Sequence, residues 1–234
     1  MARKHSRRFT AQLDRVDKRR AYKVTEALEL LKELSNAKFD ETLELSTRLG
    51  VDPRKSEENV RGTIVLPHGT GRTIRVACFA KGEHAMAAEA AGAEIVGDDD
   101  LIEKIDQGWS EFDVLVAHTD MMRAIGRLGK KLGPRMPNKK SGTVGEDVGE
   151  AVRQIKAGKV EYRVDRQSNV NCPLGKLSFS ADQLLDNFRA LWGAILVAKP
   201  SSSKGVYVRR LYLSTTMGPG VRVDVGDSRT VVSG

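Results

Sequence analysis

Cysteine is almost absent: Cys78 and Cys172 are the only two in 234 residues, and neither has a second cysteine or a histidine at ligand spacing. Both are read as small, reduced core residues, which leaves thiol catalysis without support. His5, His68, His84 and His118 are scattered, with no pair four residues apart, so no zinc or other metal site is expected. Aromatic residues make up 5% of the chain, so its core must be mostly aliphatic. No apolar run approaches the roughly 18 residues that a membrane span requires, and the N-terminus has no apolar signal region. A soluble protein that stays inside the cell and has no membrane partner is expected.

Catalytic signatures are missing too. There is no G-x-S-x-G, and the cluster Asp98-Asp99-Asp100 stands where helix N-terminal acids are expected on dipole grounds alone. "AKGEHA" carries one glycine where a dinucleotide fingerprint needs three, and in "GRLGKKLGPR" Leu132 replaces the Ser or Thr of a P-loop. Gly126-Arg127-Leu128-Gly129 fits either a KH-type clamp or a helix with two glycines. No cofactor is expected.

Basic charge is abundant and concentrated. The formal net charge is +8. Residues 1–20 hold eight Lys/Arg, among them Arg3, Lys4, Arg7 and Arg8, against two acids, and residues 123–140 hold seven with no acid. A third acid-free stretch, 187–222, contains Arg189, Lys199, Lys204, Arg209, Arg210 and Arg222. The first two segments on an otherwise mildly acidic body, with this third stretch added, point to a polyanion, because phosphate contacts release counterions and dominate nucleic-acid affinity.

The pattern of elements changes twice along the chain. Thr25 is placed to cap a helix through "EALELLKEL", with Ala27, Leu30, Leu31 and Leu34 on one face. "TLELSTRL" alternates Leu43, Leu45, Thr47 and Leu49 against polar neighbours, the mark of a half-buried strand, and "GTIVL" follows it. Beyond "PHGTGR" come short apolar strands joined by helices, "TIRVACF", "AEIVG" and "FDVLVA", with helices at 84–91, over "DDDLIEKIDQG", and at 121–132 and 146–157. From Val160 the first style returns: "VEYRV", "NVNCPLG", a helix opened by the capping box Ser180/Gln183, a flexible "SSSKG", and "VYVRRLYLSTT". The fold expected is α/β and α+β in two domains. The first is built from both termini, residues 1–68 and 158–234 with a disordered tail after about 224, and an α/β domain, 69–157, is inserted between them.

The stretches "KFDETLEL", "RKSEENVRGTIVLPHGTGR", "LGPRMPN", "GTVG", "GKLSF" and "STTMGPGV" together resemble the family of bacterial large-subunit ribosomal protein one, over most of the chain. The resemblance implies a split β-α-β (ferredoxin-like) first domain that binds RNA and a Rossmann-like inserted domain. It further implies a non-enzymatic ribosomal component in the cytoplasm, bacterial or processed organellar. Such a protein binds the stalk helices of large-subunit rRNA, helps deacylated tRNA leave the exit site and can repress translation of its own operon mRNA.

Carried over by position, the RNA face comprises Lys38, Phe39, Thr42, Asp165, Gly175, Lys176, Thr215, Thr216, Met217 and Gly218, with Arg3, Lys4, Arg7, Arg8, Arg135 and Met136 as secondary contacts. Threonine hydroxyls suit ribose and phosphate, Gly218 lets backbone approach closely, and Met217 offers a flexible apolar contact. Phe39 is open to two readings, a stacking ring or a core residue. The chain departs from the family's loop "LGPRGLMPNPK" by lacking a Gly-Leu pair and by Lys139 in place of a proline. The turn at Gln167-Ser168 lacks the usual glycine. A nucleotide-dependent enzyme and a generic nucleic-acid binder are the competing readings.

Overall fold

The computed structural model describes residues 5–233, so Arg3 and Lys4 lie outside the described residues. In chain order its elements begin with α1 (Arg7–Asp14), α2 (Val24–Leu34), β1 (Thr42–Leu49), β2 (Arg61–Val65), β3 (Val76–Phe79), α3 (Glu83–Ala90), β4 (Ile95–Gly97) and α4 (Asp99–Asp106). Next come β5 (Val114–His118), α5 (Met122–Ile125), α6 (Gly129–Leu132), β6 (Val144–Gly145), α7 (Val148–Lys156) and β7 (Lys159–Arg163). The chain closes with β8 (Asn169–Lys176), α8 (Ala181–Val197), β9 (Val208–Thr215), β10 (Val221–Val223) and α9 (Val225–Ser233). It divides into two compact units, one from the described residues up to Gly71 together with those from Val160 onward, the other Arg72–Lys159.

In the first unit the sheet order is β10-β9-β1-β8, with each neighbouring pair antiparallel. The period-two pattern of β1 buries Leu43, Leu45, Thr47 and Leu49 on one face. Against that face pack Val24, Ala27, Leu28 and Leu31 of α2 and Leu184, Phe188, Leu191, Trp192 and Ile195 of α8. α8 starts on the expected capping box, with Ser180 Oγ accepting from Gln183 N–H and Gln183 Oε1 accepting from Ser180 N–H.

Three local expectations need correction. Thr25 does not cap α2: the helix starts at Val24, whose N–H donates to the Asp227 carboxylate at 2.9 Å, so the cap comes from the far end of the chain. The tail after residue 224 is helical, because Asp224 Oδ1 accepts from Gly226 N–H and Val225, Val231 and Val232 of α9 pack on the main core. Its polar composition conceals that apolar stripe. Nor is "SSSKG" free of structure, since Ser203 is buried and donates to Gly50 O at 3.2 Å.

In the second unit the order β4-β3-β5-β6 is parallel throughout. Val76 and Cys78 join one core cluster with residues of α3 and α7, while Ala77 and Phe79 join another with residues of α4 and α5. Both faces are thus covered, which is why these strands read as unbroken apolar runs. Burial pushes the thiols of Cys78 and Cys172 up to about 12, as befits inert core residues.

The helix expected at 121–132 is instead a chain of short helical pieces, α5, a 3-10 turn over Gly126–Leu128, and α6. The glycines lower the helical propensity without breaking the run, and both Gly126 and Gly129 keep right-handed helical torsions. The G-x-x-G therefore lies within helical backbone and does not form the exposed loop of a clamp.

Candidate nucleic-acid interface

The antiparallel register gathers most of the expected residues at one end of the first unit's sheet. Thr42 stands opposite Lys176, Leu43 opposite both Gly175 and Thr215, and the chain leaves β9 through Thr216, Met217 and Gly218. A bulge at Leu43/Glu44 reflects the extra residue on β8. That extra residue is Leu174; beside it Gly175 takes φ +155°, and a Cβ there would press on Phe179 and Leu184.

Holding this end together is a residue the sequence reading passed over. Glu41 is 1% exposed, and its carboxylate accepts from Ser35 Oγ and from Met217 N–H, each at 2.9 Å. Burial alone would push its pKa up, but hydrogen bonds from Met217 N–H, the Thr215 and Ser35 hydroxyls and Ala37 N–H outweigh it and hold the carboxyl below its usual value. The signal was present: Glu41 shares the inward parity of Leu43, Leu45 and Leu49, so an acid in that register had to find internal donors.

Around Glu41 the strands are stitched from both sides. Thr216 N–H donates to Thr42 O at 3.1 Å, and Thr216 Oγ1 accepts from Thr42 N–H at 3.0 Å. Gly218 is required by packing, since a Cβ there would collide with Thr215 Oγ1. Lys176 Nζ donates to Asp40 O at 3.1 Å and Thr42 Oγ1 at 3.0 Å, and Asp40 in turn accepts from Ser178. An ammonium has three donors, so Lys176 keeps one for an incoming anion. Gly71, at φ +69°, lies against Lys176 and Phe179, while fully buried Asn187 donates to Gly69 O and Leu174 O and fastens the "PHGTG" loop to β8.

What this framework presents outward is largely apolar. Phe39 is 53% exposed and Met217 45% exposed, which removes the core reading of Phe39. Lys38 is exposed in the same α2–β1 loop. At the start of that loop, α1 is anchored by Gln12 Nε2, which donates to Leu34 O at 2.7 Å and Asn36 Oδ1 at 3.1 Å. Exposed Arg7 and half-buried Arg8 lie on α1.

Asp165 is placed elsewhere. Its turn leads into Asn169, which pairs with Arg48 at the opposite end of β1 from Thr42. Its Oδ1 accepts from Gln167 N–H at 2.7 Å and Asn169 N–H at 2.8 Å; burial would raise its pKa, and these bonds lower it on balance. In the same turn Ser168 takes φ +67°, the single non-glycine residue with positive φ among those described, and is held there by its Oγ donating to Val51 O at 2.9 Å. Arg135 and Met136 belong to the second unit, where Arg135 donates to Ser110 O and Phe112 O and Met136 packs on the core.

One further surface was not anticipated. With the helices on one face of the sheet, the other carries Arg222, Tyr212, Ser46 and Asn171 in one row and Arg210, Arg48 and Asn169 in the next. A groove of about 220 Å³ runs among them. Arg48 and Arg210 stand directly opposite each other, a like-charge pair that weakens a sheet unless an anion lies against it.

No group of His, Cys, Asp or Glu that could hold a metal ion occurs among the described residues, and none of their helices is long and apolar enough to cross a membrane. Residues 31–219 match the model of the Ribosomal protein L1p/L10e family, a span that takes in Glu41, the Thr42–Thr216 stitch, Lys176 and Met217 but not α1. The chain belongs to that family of structural, rRNA-binding proteins of the large ribosomal subunit.

Proposed function

We propose that the first unit is a split β-α-β, ferredoxin-like domain that grips the stalk helices of large-subunit rRNA with the strand end around Glu41. On this reading the second unit is an inserted Rossmann-like domain. The observation that carries the proposal is the buried Glu41 carboxylate on Met217 N–H, 176 positions apart in sequence, which fixes the Thr215–Gly218 segment before any ligand arrives. Preorganised contact surface costs less ordering entropy on binding, and shape complementarity rather than net charge then supplies specificity.

Within that surface the roles divide by exposure. Thr216, Met217, Phe39 and Lys38 face outward as contacts to ribose, base and phosphate, and the free donor of Lys176 adds a phosphate contact. Thr42, buried Thr215, Gly175 and Gly218 shape the backbone beneath them. The open sheet face with Arg48, Arg210 and Tyr212 continues the surface, and Arg7 and Arg8 add sequence-tolerant attraction. Asp165 is a turn organiser in this scheme. Family membership further supports assistance to deacylated tRNA leaving the exit site and repression of the protein's own operon mRNA through a similar RNA fold.

The test is a filter-binding titration against the stalk fragment of large-subunit rRNA and a scrambled duplex, at low and near-physiological salt. Binding of the stalk fragment should persist at the higher salt while the scrambled duplex is lost. Equal loss of both would leave a generic polyanion binder and sink the proposal.

A further inference from the structure

The second unit contains a cavity of about 390 Å³ that the first unit's RNA surface does not involve, and its volume lies within the range of small-ligand pockets. Two aromatic rings form one corner, Trp109 and Phe112, with centroids 5.4 Å apart and planes tilted by 42°. The Arg135 guanidinium lies over the Phe112 ring at 5.7 Å, and Lys131 stands on the same wall. In a chain with 5% aromatics, two rings and two cations at one cavity are a marked concentration. We propose that this cavity holds a nucleobase together with its attached phosphate, the base stacking on Trp109 and the phosphate meeting Lys131 and Arg135.

Three features support it. First, Trp109 is rigidly offered: Gly108, at φ +102°, ends α4, its N–H donating to Ile105 O while Trp109 N–H donates to Lys104 O, a Schellman arrangement that fixes the backbone on both sides. The indole is nevertheless only partly buried, so part of the ring is open to a partner at the cavity. Second, Arg135 is tied to the same corner, because its Nη1 donates to Ser110 O and Phe112 O at 3.3 and 3.2 Å, leaving the remaining guanidinium donors available. Third, the polar balance suits an anion. Lys131 is paired with Asp106, the one carboxylate lining the cavity, and its third N–H donor is unused, while the wall belongs to the acid-free run 123–140. Ring stacking beside cations is the way proteins take unpaired nucleotides, since every base has a π-face.

The protein contains its own reporter. Of its two tryptophans, Trp192 is fully buried in the first unit and Trp109 is at the cavity, so quenching of emission by a ligand reads Trp109. Adenosine monophosphate and a short single-stranded oligoadenylate should each be titrated, with inorganic phosphate as a control. Quenching by both would mean that the base and one phosphate suffice, and quenching by the oligonucleotide alone would place the source in RNA; either supports the site. Trp109→Ala should weaken oligonucleotide binding about tenfold in a filter assay while Trp109→Phe stays within about threefold. Melting curves check that both variants fold. Thr216→Ala should leave the quenching untouched, which separates this site from the strand end of the first unit. No quenching at millimolar ligand, or equal affinity of Trp109→Ala and the parent, overturns the proposal.

Discussion

The two ends of the first unit's sheet use the same chemistry for different purposes. At one end the Asp165 carboxylate accepts N–H groups from Gln167 and Asn169, two and four residues away, and shapes only its own turn. At the other end the Glu41 carboxylate accepts from Ser35 nearby and from Met217, 176 positions distant, and so joins a helix, a loop and two strands. A local carboxylate makes a turn; a non-local one makes a surface. That difference teaches where to look for function in this fold: at the carboxylate whose partners are far apart in sequence.

The comparison can be broken at several points. Glu41→Ala should have the largest effect, because it leaves the Met217 N–H and buried hydroxyls without an acceptor; a stability loss of roughly 3 kcal/mol by urea denaturation is expected, with stalk-RNA affinity lost alongside. Retained affinity would show that the clamp does not preform the surface. The same carboxylate predicts a pH dependence. Its folded-state pKa is below the usual 4.5, so its contribution is complete above that value and is lost as the pH falls through the lower folded-state value. The gap in urea midpoint between the parent and Glu41→Gln should therefore shrink on acidification, and a gap that grows would contradict the assignment.

Thr216→Ala removes one hydroxyl from the same end and should weaken stalk-RNA binding by about 1–2 kcal/mol in filter assays. Asp165→Ala should cost about 1 kcal/mol of stability through its turn and change RNA affinity less than about threefold. An affinity loss matching that of Thr216→Ala would mean that the Asp165 turn itself touches RNA and is more than a turn organiser. The smallest effect belongs to Ser168→Gly: relief of positive φ, worth about 1 kcal/mol, is offset by loss of the bond to Val51 O, so the melting temperature should barely move.

These contrasts also explain what the sequence disclosed. The alternation of β1, the capping box of α8 and the apolar strands of the second unit were legible because each depends on residues within one element. The strand end was legible through its resemblance to a family and through the chemistry of "STTMGPGV", which marks the surface without revealing what holds it. Glu41 was passed over although its parity gave it away, since its partners Met217 and Thr215 lie on another strand. The cap of α2 by Asp227 could not be read at all, because no local rule links positions 203 apart. The tail was misjudged for a related reason: its valines acquire a stripe only once α9 lies on the core.

The long span of these contacts also has a consequence in time. Thr42 and Thr216 are 174 positions apart, and α2 receives its cap only from Asp227. During synthesis at a few residues per second, all of Arg72–Lys159 emerges before β8, β9 and α9 exist to complete the first unit's sheet. The parallel unit can close on itself while the other still waits for its partners, and closure across so long a loop is intrinsically slow. The surface around Glu41 therefore forms only after the whole of the second unit has been made, and a nascent chain stopped short of Thr216 has no such surface to offer.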